Sequence, residues 1–159
     1  MEKKSIYAKR IEKVQMSSIR IVMEKVEKLR NQGKSIVSLC AGEPDFNTPA
    51  GIKKATMDAL NDNQTHYSSN RGYAGLRQKV AQLLQEQTTI NYDSEQEIIM
   101  TCGCSEAINN TCLAFIDPGD EVIIFTPAFV SYQNTVLLCE GIPVEIPLKS
   151  RNGFQIDIE

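Results

Sequence analysis

A chain of 159 residues with 42% apolar and 23% charged side chains has the size and composition of about one globular domain, not of a disordered segment. Its net charge of -3 and pI near 5.3 argue against a nucleic-acid partner, because a phosphate-backbone binder normally shows a basic face. No apolar run approaches the roughly 18 residues that cross a bilayer, and the charged start MEKKSIYAKRIEKV lacks the apolar core of a secretory signal, so no membrane partner is expected.

The segment from about Lys9 to Asn31 reads as a helix, with Val14, Ile19, Val22, Val26 and Leu29 recurring at three- to five-residue steps and Gly33 as the stop. A short apolar run, Ile36 to Leu39, enters an irregular stretch, Ala41 to Pro49, whose glycine and two prolines shape a loop. Thr48 then Pro49 has the order of an N-cap and first helical residue, and Ile52 to Leu60 continues with helical spacing. After the loop holding Thr65, His66 and Tyr67, a second helix is predicted over Tyr73–Gln87, with Leu76, Val80, Leu83 and Leu84 as its apolar stripe.

From there strands and helices alternate. Ile98–Met100 reads as a strand, Ser105–Phe115 as a helix, and Asp117–Asp120 as a turn. Val122–Phe125 reads as a strand covered on both faces, since it shows no polar alternation. Phe129–Cys139 reads as a helix closed by Gly141, and Pro143–Ile146 as another strand. The order predicts an α/β fold with a parallel sheet. Asp157 and Glu159 resemble the first turn of a further helix, which predicts a boundary cut short of a natural end.

The five cysteines, Cys40, Cys102, Cys104, Cys112 and Cys139, are odd in number and irregularly spaced, which predicts reduced, mostly buried thiols in a cytoplasmic setting. Zinc needs about four nitrogen or sulfur ligands. Only His66 and the Cys102/Cys104 pair offer any clustering, so no metal is expected.

The sharpest local signal is Thr101-Cys102-Gly103-Cys104-Ser105, between a predicted strand and a predicted helix. Backbone amides at a helix start, a glycine that permits close approach and a hydroxyl together suit a phosphate. The same residues also suit a plain strand-to-helix turn in which Ser105 caps the helix. The run is neither a Walker loop nor a dinucleotide fingerprint.

Several segments in register narrow the choice. Ala41-Gly42-Glu43-Pro44-Asp45-Phe46 with Thr48-Pro49, the run Thr65–Ser68 with Gly72 and Leu76-Arg77, Gly103–Ala107, Asp117–Ile123, and Pro127 with Phe129 and Tyr132 follow one another as in the class I/II, fold-type I aminotransferases. From about Ser35 onward the chain resembles the N-terminal portion of that pyridoxal-phosphate-dependent family. The resemblance implies part of a three-layer α/β/α large domain. Residues 1–47 would form an N-terminal helix and arm belonging with the small domain, and 48–159 the first part of the cofactor-binding domain.

It also implies roles. Gly103, Cys104 and Ser105 would hold the phosphate of pyridoxal 5'-phosphate, and Phe129 would stack on its ring. Tyr67 would reach across a homodimer to the phosphate held by the partner subunit, and Gly42 would admit the substrate carboxylate. Read singly, Cys104 suits a small buried residue, Phe129 a core aromatic, Tyr67 a loop tyrosine packed on its own domain, and Gly42 a turn glycine. The implied activity is amino-group transfer between an amino acid and a 2-oxo acid, within amino acid metabolism and biosynthesis.

A carbon–sulfur lyase, an aminocyclopropane-carboxylate-synthase-like enzyme, a non-catalytic regulator domain or a short degenerate chain are the alternatives. No catalytic residue is assigned within the chain. None of its eleven lysines has the serine- and glycine-flanked setting of the cofactor-bearing lysine, and Lys53, Lys54, Lys79 and His66 read as solvated. An isolated chain of this extent is expected to leave Ile98–Met100 unpaired with Val122–Phe125, to expose apolar strand surface, and to lack transaminase activity.

Overall fold

The computed structural model describes residues 6–14 and 16–157, so Glu159 and the helix start expected there lie outside the described residues. The chain divides into two compact units, Met1–Ala41 with Gly103–Glu159, and Gly42–Cys102.

In the first unit, the single helix expected over Lys9–Asn31 is two pieces. A 3-10 helix spans Lys9–Lys13, and α1 spans Ser18–Asn31. Val14 is extended, Ser17 takes the N-cap of α1 with φ -59° and ψ 122°, and serines favour helix starts over helix interiors. The far end of α1 behaves as Gly33 predicts. Its φ is +78°, its N–H donates to the Arg30 carbonyl at 2.9 Å, and the Lys34 N–H donates to the Leu29 carbonyl at 3.2 Å. This reversed pair satisfies carbonyls that a helix end leaves open.

The helices α2 (Ala50–Asn61) and α3 (Ala74–Thr88) belong to the second unit; the first continues with α4 (Cys104–Phe115), β1 (Glu121–Thr126), α5 (Ser131–Leu138) and β2 (Ile142–Pro147). The strands pair in parallel, from Glu121 opposite Ile142 to Thr126 opposite Pro147. Parallel neighbours need a crossover, and α5 supplies it while packing on both strands and on α4. The core is Ile124, Val136 and Cys139, which are 8%, 2% and 7% exposed.

The turn Asp117–Asp120 is tied from both sides. Asp117 N–H donates to Asp120 Oδ2 at 2.8 Å, and Gly119 N–H donates to the Glu140 carbonyl at 3.0 Å. A Cβ on Gly141 would stand 2.8 Å from Ile116 Cγ2, so helix and turn approach too closely there for any side chain. Arg10 and Glu140 pair at 3.2 Å, but both are about half exposed, so the bridge contributes at most about 1 kcal/mol.

Two expectations need correction. Both faces of β1 were expected to be covered, yet Ile123 is 60% exposed while its neighbour Ile124 is buried. Among the described residues, α5 packs on this strand and no second layer covers the opposite face. On the helix α4, Leu113 and Phe115 are likewise 63% and 83% exposed. The helix expected over Phe129–Cys139 begins only at Ser131, with Pro127 and the turn from Phe129 to Tyr132 ahead of it.

In the second unit, α2 spans Ala50–Asn61 and α3 spans Ala74–Thr88. Pro49, not Thr48, takes the cap position of α2, and its carbonyl accepts the Lys53 N–H at 3.1 Å. Ile98–Met100 is not a strand. Its Met100 N–H donates to the Arg71 carbonyl at 3.0 Å, and Ile98 is buried. No strand among the described residues pairs with it, and β1 pairs with β2 alone, as expected for a chain of this extent.

The tie at the centre of this unit is Arg77, 3% exposed on α3. Its Nε donates to the Ser94 carbonyl at 2.7 Å, its Nη1 to the Gly72 carbonyl at 2.5 Å, and its Nη2 to Glu95 Oε2 at 2.8 Å. Arg71 also donates to the Glu95 carbonyl. A planar guanidinium with fixed, diverging donors suits three acceptors on two segments; a lysine ammonium cannot present that fork. No helix of the described residues is long and apolar enough to cross a membrane.

Candidate functional site

The glycine turn is the start of α4. The N-cap is Gly103, with φ 83° and ψ 168°, and it makes no side-chain cap bond. Cys104 and Ser105 are the first and second helical residues, so Ser105 is not the cap. A helix start leaves its first amides without intrahelical acceptors, and the aligned peptide dipoles place positive charge there. A Cβ built on Gly103 would meet nothing within 4 Å. The left-handed φ favours glycine, and the space beside it is open. Cys104 and Ser105 are exposed on the same turn. Glu106, the third helical residue, is an acid in that first turn and complements the same positive end.

Phe129 belongs to the same unit, in the segment between β1 and α5, just past the cis peptide Thr126–Pro127. It is 55% exposed in this chain. Its ring meets Tyr132 edge to face, with centroids 5.9 Å apart and planes at 75°, so the edge contact holds the ring and leaves much of its surface in solvent.

Tyr67 and Gly42 lie in the second unit. Tyr67 is fully exposed in this chain. It sits between two tightened turns. Thr65 N–H donates to the Asn63 carbonyl at 2.8 Å, and Gly72 N–H donates to the Ser69 carbonyl at 2.8 Å. His66 Nδ1 lies 3.2 Å from the Asn63 carbonyl, which makes it a loop residue as expected. Gly42 has no left-handed φ, and a Cβ there would meet nothing within 4 Å.

The thiols were expected to be mostly buried. Cys139 is, whereas Cys40 and Cys112 are half-buried and Cys102 and Cys104 are exposed, because the latter two flank the open glycine turn. Burial, and then the neighbouring Cys139, raise the Cys112 thiol above its ordinary range. Among the described residues no three His, Cys, Asp or Glu side chains gather as a metal set. Lys53 is exposed on α2, Lys54 pairs with Asp58 at 2.7 Å, and Lys79 meets Gln82 at 3.0 Å, which are solvated roles.

Sequence reasoning noted Arg77 and Gly72 only as parts of a pattern. The structure makes both structural: a Cβ on Gly72, at φ +88°, would stand 2.7 Å from Met100 Cβ. No periodicity signals a buried arginine whose acceptors are mostly carbonyls, so the sequence could not have shown it.

These features can be set against known proteins. The pattern that defines aminotransferase class I and II matches residues 34–159. An aspartate aminotransferase of Pyrococcus abyssi is 41% identical over 126 residues, covering 79% of this chain and 32% of that protein. One from Rhizobium meliloti is 35% identical, covering 96% of this chain and 37% of its own. Among solved structures, the aspartate aminotransferase of Thermus thermophilus with maleate superposes with a TM-score of 0.91 at 34% identity, covering 97% of this chain and 40% of that one. The chain therefore spans between about a third and two fifths of the length of these relatives. Its fold is the α/β fold of the aspartate aminotransferases, and the chain belongs to the aminotransferase class I and II family.

Proposed function

We propose that this chain is the phosphate- and ring-holding portion of a pyridoxal-phosphate-dependent aminotransferase, which moves an amino group between an amino acid and a 2-oxo acid. The observation that carries the reading is the open, left-handed Gly103 at the start of α4, in a chain whose family depends on that cofactor. The residues fit a phosphate ester: amide donors, a helix-start field and space where a Cβ would stand.

When bound, the cofactor supplies an electron sink that stabilises negative charge at the amino acid's α-carbon. The chain's own residues bind and orient. The amides of Gly103, Cys104 and Ser105, with the Ser105 hydroxyl, donate to phosphate oxygens. Phe129 covers one ring face and keeps water from it. Tyr67, projecting from its loop, donates its hydroxyl to the phosphate held by a second copy of the chain. Gly42 leaves room for the substrate carboxylate. Residues 1–47 go with the small domain and 48–159 open the large one.

The relatives' names differ in substrate: aspartate, aspartate/prephenate and N-acetyl-LL-diaminopimelate. All three align with this chain, which supports assigning it to cofactor holding more than to substrate choice. The cysteine pattern supports a cytoplasmic setting.

The test is made on the full-length protein. Purified protein should contain about one pyridoxal phosphate per chain and convert aspartate with 2-oxoglutarate to glutamate. The chain 1–159 by itself should do neither. A full-length protein that binds no pyridoxal phosphate sinks the reading.

A further inference from the structure

Arg77 lies on α3 and has no role assigned above, yet its hydrogen bonds lead through Gly72 to Ser69, two residues from Tyr67. We infer that Arg77 is a positioning residue that acts through the loop between Asn61 and Ala74 to hold Tyr67 where it can grip the cofactor phosphate of a second copy. The inference rests on the function proposed above and adds what sets the aim of that tyrosine.

The route is short. Arg77 Nη1 donates to the Gly72 carbonyl at 2.5 Å. Gly72 N–H in turn donates to the Ser69 carbonyl at 2.8 Å, and Arg71 N–H donates to Ser69 Oγ at 3.2 Å. Two hydrogen bonds thus lead from the buried guanidinium to within two residues of Tyr67. The end of the loop at Gly72 cannot slide, because Arg71 is held by the Met100 N–H at 3.0 Å and Gly72 lies against the Met100 side chain. The loop's other end is fixed at Asn63, whose φ is 58° and whose carbonyl accepts from the Thr65 N–H.

Tyr67 itself has no such support, being fully exposed. An exposed tyrosine can deliver its hydroxyl to a fixed point only if its backbone is already ordered, since the ordering entropy is otherwise lost on binding. Arg77 is anchored at its opposite edge by the Ser94 carbonyl and Glu95, so it links the loop to a turn outside it.

The test is a double-mutant cycle on the full-length protein, read as the dissociation constant of pyridoxal phosphate and, separately, kcat at saturating cofactor. Arg77→Lys should weaken the cofactor about tenfold, the worth of one hydrogen bond to a charged group, and leave kcat within about twofold. Ser69→Ala loosens the same turn from its exposed side without touching Arg77, so it reports even if Arg77→Lys folds poorly; it should act in the same direction. In a Tyr67→Phe background neither change should weaken the cofactor further. Equal losses in both backgrounds would show that Arg77 supports the fold alone and would overturn the inference. If Tyr67→Phe leaves cofactor affinity unchanged, the role of Tyr67 fails and this route with it. The remaining cofactor assignments would still stand on Gly103 and Ser105.

Discussion

Replacing Gly72 by alanine isolates two physical costs that the structure places at one position. A φ of +88° costs an L-residue about 1–2 kcal/mol. The added methyl would stand 2.7 Å from Met100 Cβ and 2.8 Å from its Cγ, and overpacking of that kind typically costs about 1–3 kcal/mol. The sum, about 2–5 kcal/mol, is large beside the roughly 5–15 kcal/mol that holds a domain together. The assay is native-state hydrogen exchange at the Met100 amide in the full-length protein, because that amide donates to the Arg71 carbonyl beside the glycine. At 1.4 kcal/mol per tenfold, exchange should quicken by about thirtyfold or more. Gly33→Ala is the comparator. Its φ of +78° carries the same backbone cost, but nothing lies within 4 Å, so the Lys34 amide should quicken by only about five- to thirtyfold. If Gly72→Ala affects Met100 no more than Gly33→Ala affects Lys34, the close approach of loop and Met100 is wrong.

Other outcomes follow from single groups. Ser105→Ala removes one hydroxyl from a charged acceptor and should weaken pyridoxal phosphate by about 10- to 100-fold in equilibrium dialysis; an unchanged constant removes the hydroxyl from the cradle. Phe129→Leu gives up ring stacking worth about 0.5–1.5 kcal/mol, so affinity should fall about two- to tenfold, and a rise would show that the ring obstructs the site. Cys112 should react with iodoacetamide only at higher pH than an unstructured cysteine, since burial and then Cys139 disfavour the thiolate that attacks. Its folded pKa lies above its unfolded one, so the stability linked to it is complete below the ordinary thiol range and is lost as pH rises through the folded value. A labelling profile that matches the unstructured peptide would show the burial to be wrong.

The helices α2 to α4, the parallel pair β1 and β2 and the Asp117–Asp120 turn were legible in the chain, because local periodicity and turn chemistry are properties of neighbouring residues. So was the helix start at Gly103, where a glycine precedes the periodic run of α4. Ile98–Met100 was misread as a strand because its apolar residues satisfy a strand pattern, while strand pairing depends on a neighbour that no local rule supplies. The thiols were misread for a similar reason: cysteine prefers the interior on average, but Cys102 and Cys104 flank a glycine whose turn faces solvent.

Sequence alone determined where α2 to α4 and the strands β1 and β2 lie and which family order the segments follow. Only the tertiary structure decided that Arg77 is buried, that Gly72 has no room for a side chain, and that Phe129 and Tyr67 stand open. The difference has one cause. Secondary structure is written by contacts a few residues apart, whereas burial of Arg77 depends on carbonyls from Gly72 and Ser94 that folding brings to it from either side.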